Sequence, residues 1–136
     1  MIHQQQINLH LVTSTGINQP VHASFSYASD DPYAIRLGWN LDTTESAWIL
    51  PRNLLWYAMQ LPGPLRGEGD VKAQVDGDYF RIFLDSEQGT ASIRLIKYDL
   101  IEFICKTLEI VPLGDELPIV EAELDDVLAM ILSEEV

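Results

Sequence analysis

Apolar and polar residues alternate strictly near the start of the chain. In QQINLHLV (5–12) Ile7, Leu9 and Leu11 share one face, and in PVHASFSYA (20–28) Val21, Ala23, Phe25 and Tyr27 do the same. Period two predicts half-buried strands, and TSTGINQ between them reads as a turn. PYAIRLGWN predicts a third strand with Tyr33, Ile35, Leu37 and Trp39 on one side. ESAWIL predicts a fourth, linked to the third by LDTTE (41–45). At PRNLLWYAMQL the period changes to that of a helix, with Pro51 in the first turn, where its missing N–H does no harm. Placing residues 100° apart puts Leu54, Leu55, Tyr57, Ala58, Met59 and Leu61 on a broad apolar face, with Trp56 turned away among Arg52, Asn53 and Gln60.

A Pro/Gly-rich loop, PGPLRGEG (62–69), precedes a similar layout. DVKAQV and YFRIFL flank an Asp-Gly hairpin signature at DGD (76–78), and TASIRLI (90–96) follows the SEQG turn. Tyr79, Arg81 and Phe83 fall opposite Phe80, Ile82 and Leu84. Leu100, Ile101, Ile104 and Leu108 recur at helical spacing, with Asp99 and Glu102 near the helix start and Pro112 and Gly114 at its end. A final amphipathic helix, EAELDDVLAMILSEE (121–135), turns Leu124, Val127, Leu128 and Ile131 inward. The order ββββα then βββαα predicts an α+β fold of two antiparallel meanders covered by helices. The layout repeats, but the residues do not.

At 136 residues, with 47% hydrophobic and 21% charged positions, one globular domain spanning 1–136 is expected. The apolar runs are shorter than the roughly 20 residues of a membrane span, and MIHQQQINLHLV lacks the basic start and apolar core of a secretory signal. One cysteine, Cys105, excludes an internal disulfide and suits a reducing cytoplasm. The net charge of −13 changes the picture further. Lys106 is the last base, and nine acids follow it. Such a chain repels phosphate backbones and anionic lipid, so neither nucleic-acid binding nor membrane insertion is expected.

Candidate chemistry is sparse. His3, His10 and His22 lack zinc-ligand spacing, and His10 and His22 read as solvated strand residues. Cys105 lies in an apolar helix without an adjacent base, which favours a packed thiol over a nucleophile. GPLRGEGD lacks the Gly-Lys-Ser/Thr ending of a phosphate loop and precedes a strand. DGD and LDD lack the alternating ligands of a calcium loop. No Gly-x-Ser-x-Gly elbow occurs, and nothing singles out a carboxylate pair. No catalytic residue, metal or cofactor is therefore assigned. Strand aromatics could stack unpaired bases, but Arg36, Lys72, Arg81 and Arg94 are the only bases among them, so core packing is favoured. Finding those bases gathered on one sheet face would revive single-stranded nucleic-acid binding. Trp56 beside Arg52 on a polar helix face has the character of an interface anchor. Asp125 and Asp126, on the acidic last helix, offer an electrostatic docking surface.

Taken in order, DPYAIRLGWN, WILPRNLL, GEGDVKAQ, GTASIRLIKYDLIEFICKTLEIVPLGDE and ELDDVLAMIL resemble the SsgA-like proteins of sporulating actinobacteria. Two segments depart from the pattern. Ala-Arg-Asp-Leu-Leu reads Pro51-Arg52-Asn53-Leu54-Leu55, and Glu-x-Pro reads Arg94-Leu95-Ile96. The resemblance implies a non-enzymatic protein of cell division and sporulation. Such proteins localise and promote assembly of the tubulin-like GTPase FtsZ at the septum, or influence peptidoglycan remodelling. It implies a fold similar to that of Whirly-type single-stranded nucleic-acid binders and a homo-oligomer, a trimer. Its partners would be FtsZ or another division protein, or an SsgA-like paralogue, met by a cytoplasmic protein recruited to the septum.

Overall fold

The computed structural model describes residues 1–13, 18–41, 44–60, 63, 65–87 and 89–134. Four strands come first: β1 (Ile2–Thr13), β2 (Asn18–Ala28), β3 (Ala34–Leu41) and β4 (Thr44–Pro51). Helix α1 (Arg52–Gln60) leads to β5 (Arg66–Glu68), β6 (Val71–Asp76), β7 (Tyr79–Ser86) and β8 (Gly89–Ile96). Helices α2 (Lys97–Ile110) and α3 (Glu116–Glu134) end the chain. All pairings are antiparallel, in the order β4-β3-β2-β1-β8-β7-β6-β5. The two meanders are thus joined by β1 and β8, with Leu9 opposite Leu95 and Leu11 opposite Ile93.

The alternation seen in the sequence is the alternation of burial. Ile7, Leu9, Leu11, Val21, Ala23, Phe25 and Tyr27 are buried, as are Phe80, Ile82 and Leu84, while Tyr79 and Arg81 face outward. Helices α1 and α2 cover the apolar face with Leu54, Leu55, Ala58 and Met59 and with Leu100, Phe103 and Ile104. Phe103 packs on Phe25 with ring centroids 5.3 Å apart. Each such fully buried side chain contributes up to about 1.5–3 kcal/mol. The two-residue link between Asp76 and Tyr79 is Gly77-Asp78, one residue on from the expected Asp-Gly, and Gly77 takes the positive φ of +61° at its first position.

Several expectations change. Residues 66–68, read as loop, form the three-residue edge strand β5, too short to carry a period. Helix α3 begins at Glu116, five residues early, because Pro118 fits within the first helical turn. On α2 the buried arc is Leu100, Phe103, Ile104 and Thr107. Cys105 lies 100° beyond Ile104 and is exposed, not packed. Tyr33 and Tyr57 are 42% and 52% exposed. The links expected at TSTGINQ, LDTTE, PGPLRGEG and SEQG fall partly outside the described residues, as do Leu61 and Glu135.

Candidate protein-interaction site

Arg52 is placed by the joint between β4 and α1. Its backbone N–H donates to the Tyr33 carbonyl at 2.8 Å, which satisfies one of the open donors at the helix start. The side chain turns inward and is fully buried. This corrects the expected polar helix face: Arg52 is not available to a partner in this fold. From the first helical position its long stem reaches the gap between β2 and the end of α2. Its Nη1 donates to the Tyr27 hydroxyl at 2.9 Å, to the Val111 carbonyl at 2.7 Å and to the Thr107 carbonyl at 3.2 Å. The guanidinium therefore caps the negative end of α2. The Tyr27 hydroxyl in turn donates a hydrogen bond to the Pro32 carbonyl at 2.9 Å.

The same guanidinium holds the first residue of α3. Its Nη2 lies 3.6 Å from Oε2 of Glu116, which is also buried. Asn53 donates to that oxygen at 3.0 Å, and the Gly114 N–H donates to the other. Burial, the largest influence on this carboxyl, pushes its pKa up. The hydrogen bonds from Asn53 and the backbone, with the Arg52 charge, outweigh it and hold the group below its ordinary 4.5. Burial pushes the Tyr27 hydroxyl up to about 12; Arg52 opposes this, while Glu116 and Asp31 add to it. One buried cation thus ties β2, α1, the end of α2 and the start of α3 together.

Beyond that anchor α3 leaves the core. Glu116 is buried and Ile119 packs against the core, but Leu124, Val127, Leu128, Met130, Ile131 and Leu132 each keep 49–65% of their surface exposed. Leu124, Val127, Leu128 and Ile131 were expected to face inward. They do form a stripe at helical spacing, and among the described residues none buries it. The helix is about 28 Å long at 1.5 Å per residue, so the stripe is a continuous apolar ridge. Asp125 is exposed at the edge of the stripe, and Asp126 is exposed on the opposite side of the helix.

The remaining candidates lie elsewhere. Trp56 is half-buried and packs against the core, so it is not the free anchor that the helix geometry suggested. His10 and His22 are exposed, while His3 stacks on Phe103 at 5.5 Å. Among the described residues no group of three His, Cys, Asp or Glu side chains could hold a metal. No described helix is long and apolar enough to cross a membrane. Arg36, Lys72, Arg81 and Arg94 all lie on the sheet face turned away from α1 and α2; Lys72, Arg81 and Arg94 are neighbours on β6–β8, while Arg36 is three strands and six residues away from Arg94. The buried Arg52–Glu116 pair escaped sequence reading because the partners are 64 positions apart. The one available signal was an arginine directly after Pro51, which was expected in the first helical turn but ends β4, so that Arg52 opens α1.

The family described as "Streptomyces sporulation and cell division protein, SsgA" matches residues 21–116. The sporulation-specific cell division protein SsgB of Frankia casuarinae is 33% identical over 132 residues, covering 93% of this chain and 89% of its own. SsgB of Kineococcus radiotolerans is 31% identical over 133 residues, covering 93% and 78%. The crystal structure of the SsgA-like sporulation-specific cell division protein from Thermobifida fusca superposes with a TM-score of 0.77 at 28% identity, over 100% of this chain and 96% of that one. Sequence, sheet and helices agree along nearly the whole length, and the chain belongs to the SsgA family of sporulation and cell division proteins.

Proposed function

We propose that this chain is a non-enzymatic regulator of cell division and sporulation, an oligomeric adaptor that localises FtsZ or promotes its assembly at the septum. The observation that carries this reading is the apolar stripe of α3, anchored at Glu116 and half-exposed at Leu124, Val127, Leu128 and Ile131. These four side chains expose on the order of 400 Å², a size at which an apolar patch marks an interface. Residues 1–136 act as one SsgA-like domain, and copies associate along the ridge as a homotrimer. Arg52 serves this interface from inside, by directing α3. Asp125 and Asp126, exposed on the edge and far side of α3, supply a charged surface for FtsZ, for another division protein or for an SsgA-like paralogue. The protein reaches the septum from the cytoplasm through such a partner, without inserting in the membrane.

The test is pelleting of FtsZ polymers from the same organism with and without this protein, at low and high salt. The expected result is co-pelleting or increased polymer that weakens as salt rises. No effect at either salt would overturn the reading. A second reading, single-stranded nucleic-acid binding through a Whirly-like sheet surface, is favoured by Lys72, Arg81 and Arg94, which neighbour one another on the outer face of β6–β8. It is opposed by the net charge of −13 and by Asp76 and Asp85, which lie 3.6 Å from Arg81 and 3.9 Å from Lys72.

A further inference from the structure

The outer sheet face carries a furrow along β8 and β1. Three depressions of about 360, 100 and 280 Å³ line up along it. They are continuous, since the first and second share Val12 and Ser92, and the second and third share His10 and Arg94. From Ser92 to Ile96 the shared wall runs about 13 Å in extended chain.

The middle of the furrow is cationic. Arg81 sits directly opposite Arg94, and Arg94 directly opposite His10. Like charges in that position destabilise a sheet unless something answers them. Arg81 is partly answered by Asp76 at 3.6 Å. Arg94 lies 4.5 Å over the Tyr79 ring and, among the described residues, has no carboxylate within ion-pair distance. Each end of the furrow offers apolar side chains: Leu65 and Phe83 at one, beside the paired Lys72 and Asp85, and Tyr79 and Ile96 at the other, with Leu65, Tyr79 and Ile96 41–49% exposed. In a chain with net charge −13, this is a local reversal of sign between two apolar steps.

We propose that this furrow binds an extended segment of a partner protein in which one carboxylate side chain is flanked, two residues to either side, by apolar side chains. In an extended peptide alternate side chains face the sheet. The carboxylate then meets the Arg81–Arg94 pair, a geometry that guanidinium forks match well, while its apolar neighbours meet the two ends. A nucleic acid strand fits less well, because its evenly spaced phosphates would also meet Asp85 at one end and Asp76 near the other. This surface is separate from α3 and does not depend on FtsZ being the partner.

The test uses the ¹⁵N-labelled full chain and the peptide acetyl-Ser-Leu-Ser-Asp-Ser-Leu-Ser-amide, followed by chemical-shift changes. Shifts confined to β7, β8 and β1 at millimolar peptide are expected, weakened about tenfold or more by Arg94→Glu or Arg81→Glu. Both side chains are exposed, so the rest of the spectrum should stay unchanged and report an intact fold. The peptide with Lys in place of Asp should leave the spectrum unmoved. The proposal is overturned if the Asp peptide causes no shifts, if Arg94→Glu leaves its binding intact, or if oligothymidine binds the furrow more tightly than the peptide.

Discussion

Replacing Arg52 by methionine keeps the buried stem and removes the charge. The change deletes hydrogen bonds of 2.7, 2.9 and 3.2 Å to Val111, Tyr27 and Thr107, and strips the buried Glu116 of its cation. Breaking a buried ion pair from one side costs about 3–5 kcal/mol, because the partner stays charged and desolvated. With a urea slope of about 2 kcal/mol per molar, the unfolding midpoint should fall by about 2 M. The comparison must be made at one protein concentration, since association adds to apparent stability. Removing both charges, in Arg52→Met with Glu116→Leu, should cost less than the sum of the two single changes by at least about 1 kcal/mol. If Arg52→Met lowered stability by under ~1 kcal/mol, or if the two changes simply added, the junction would not be holding α3 as described.

Exchange of Leu124 and Leu128 for Glu should reduce the sedimenting species to the 15.3 kDa monomer. The same exchange should leave monomer stability within about 0.5 kcal/mol, because both side chains are more than half exposed; an unchanged oligomer would rule out the ridge as its interface. Glu116, with its pKa depressed on folding, contributes stability that is full above 4.5 and is lost as pH falls through its lower folded value. Acid unfolding of the wild type, but not of Glu116→Gln, should therefore steepen below pH 4.5. Tyr27 acts in the opposite sense: its pKa rises from 10 to about 12, so stability present below pH 10 should drain away between pH 10 and 12, and less so in Tyr27→Phe. Trp56→Ala should cost about 2 kcal/mol through lost packing, read by urea unfolding, and should leave oligomer size unchanged.

The strands were legible because both meanders bury one face, which forces alternation at Ile7–Leu11, Val21–Tyr27 and Tyr79–Leu84. The exposure of the α3 stripe was not legible, because periodicity shows that a face is apolar but not whether the chain's own core covers it. Arg52 was misplaced for a related reason. Helical angles sort residues by polarity, and a buried arginine joined to Tyr27, α2 and Glu116 breaks that sorting through contacts 25 to 64 positions away. The gathering of Arg81, Arg94 and His10 depended on strand register, which local sequence does not specify when β1 meets β8 across the intervening chain. The motif segments that resemble the SsgA-like proteins carried the family, since no chemical signature marks it.

The most direct measurement is of fluorescent FtsZ in sporulating cells that lack this protein and in cells that carry it with Leu124 and Leu128 changed to Glu. Absent or misplaced FtsZ rings in both, with normal rings restored by the wild-type chain, is the predicted result. Rings of normal number and position in cells lacking the protein would contradict the account.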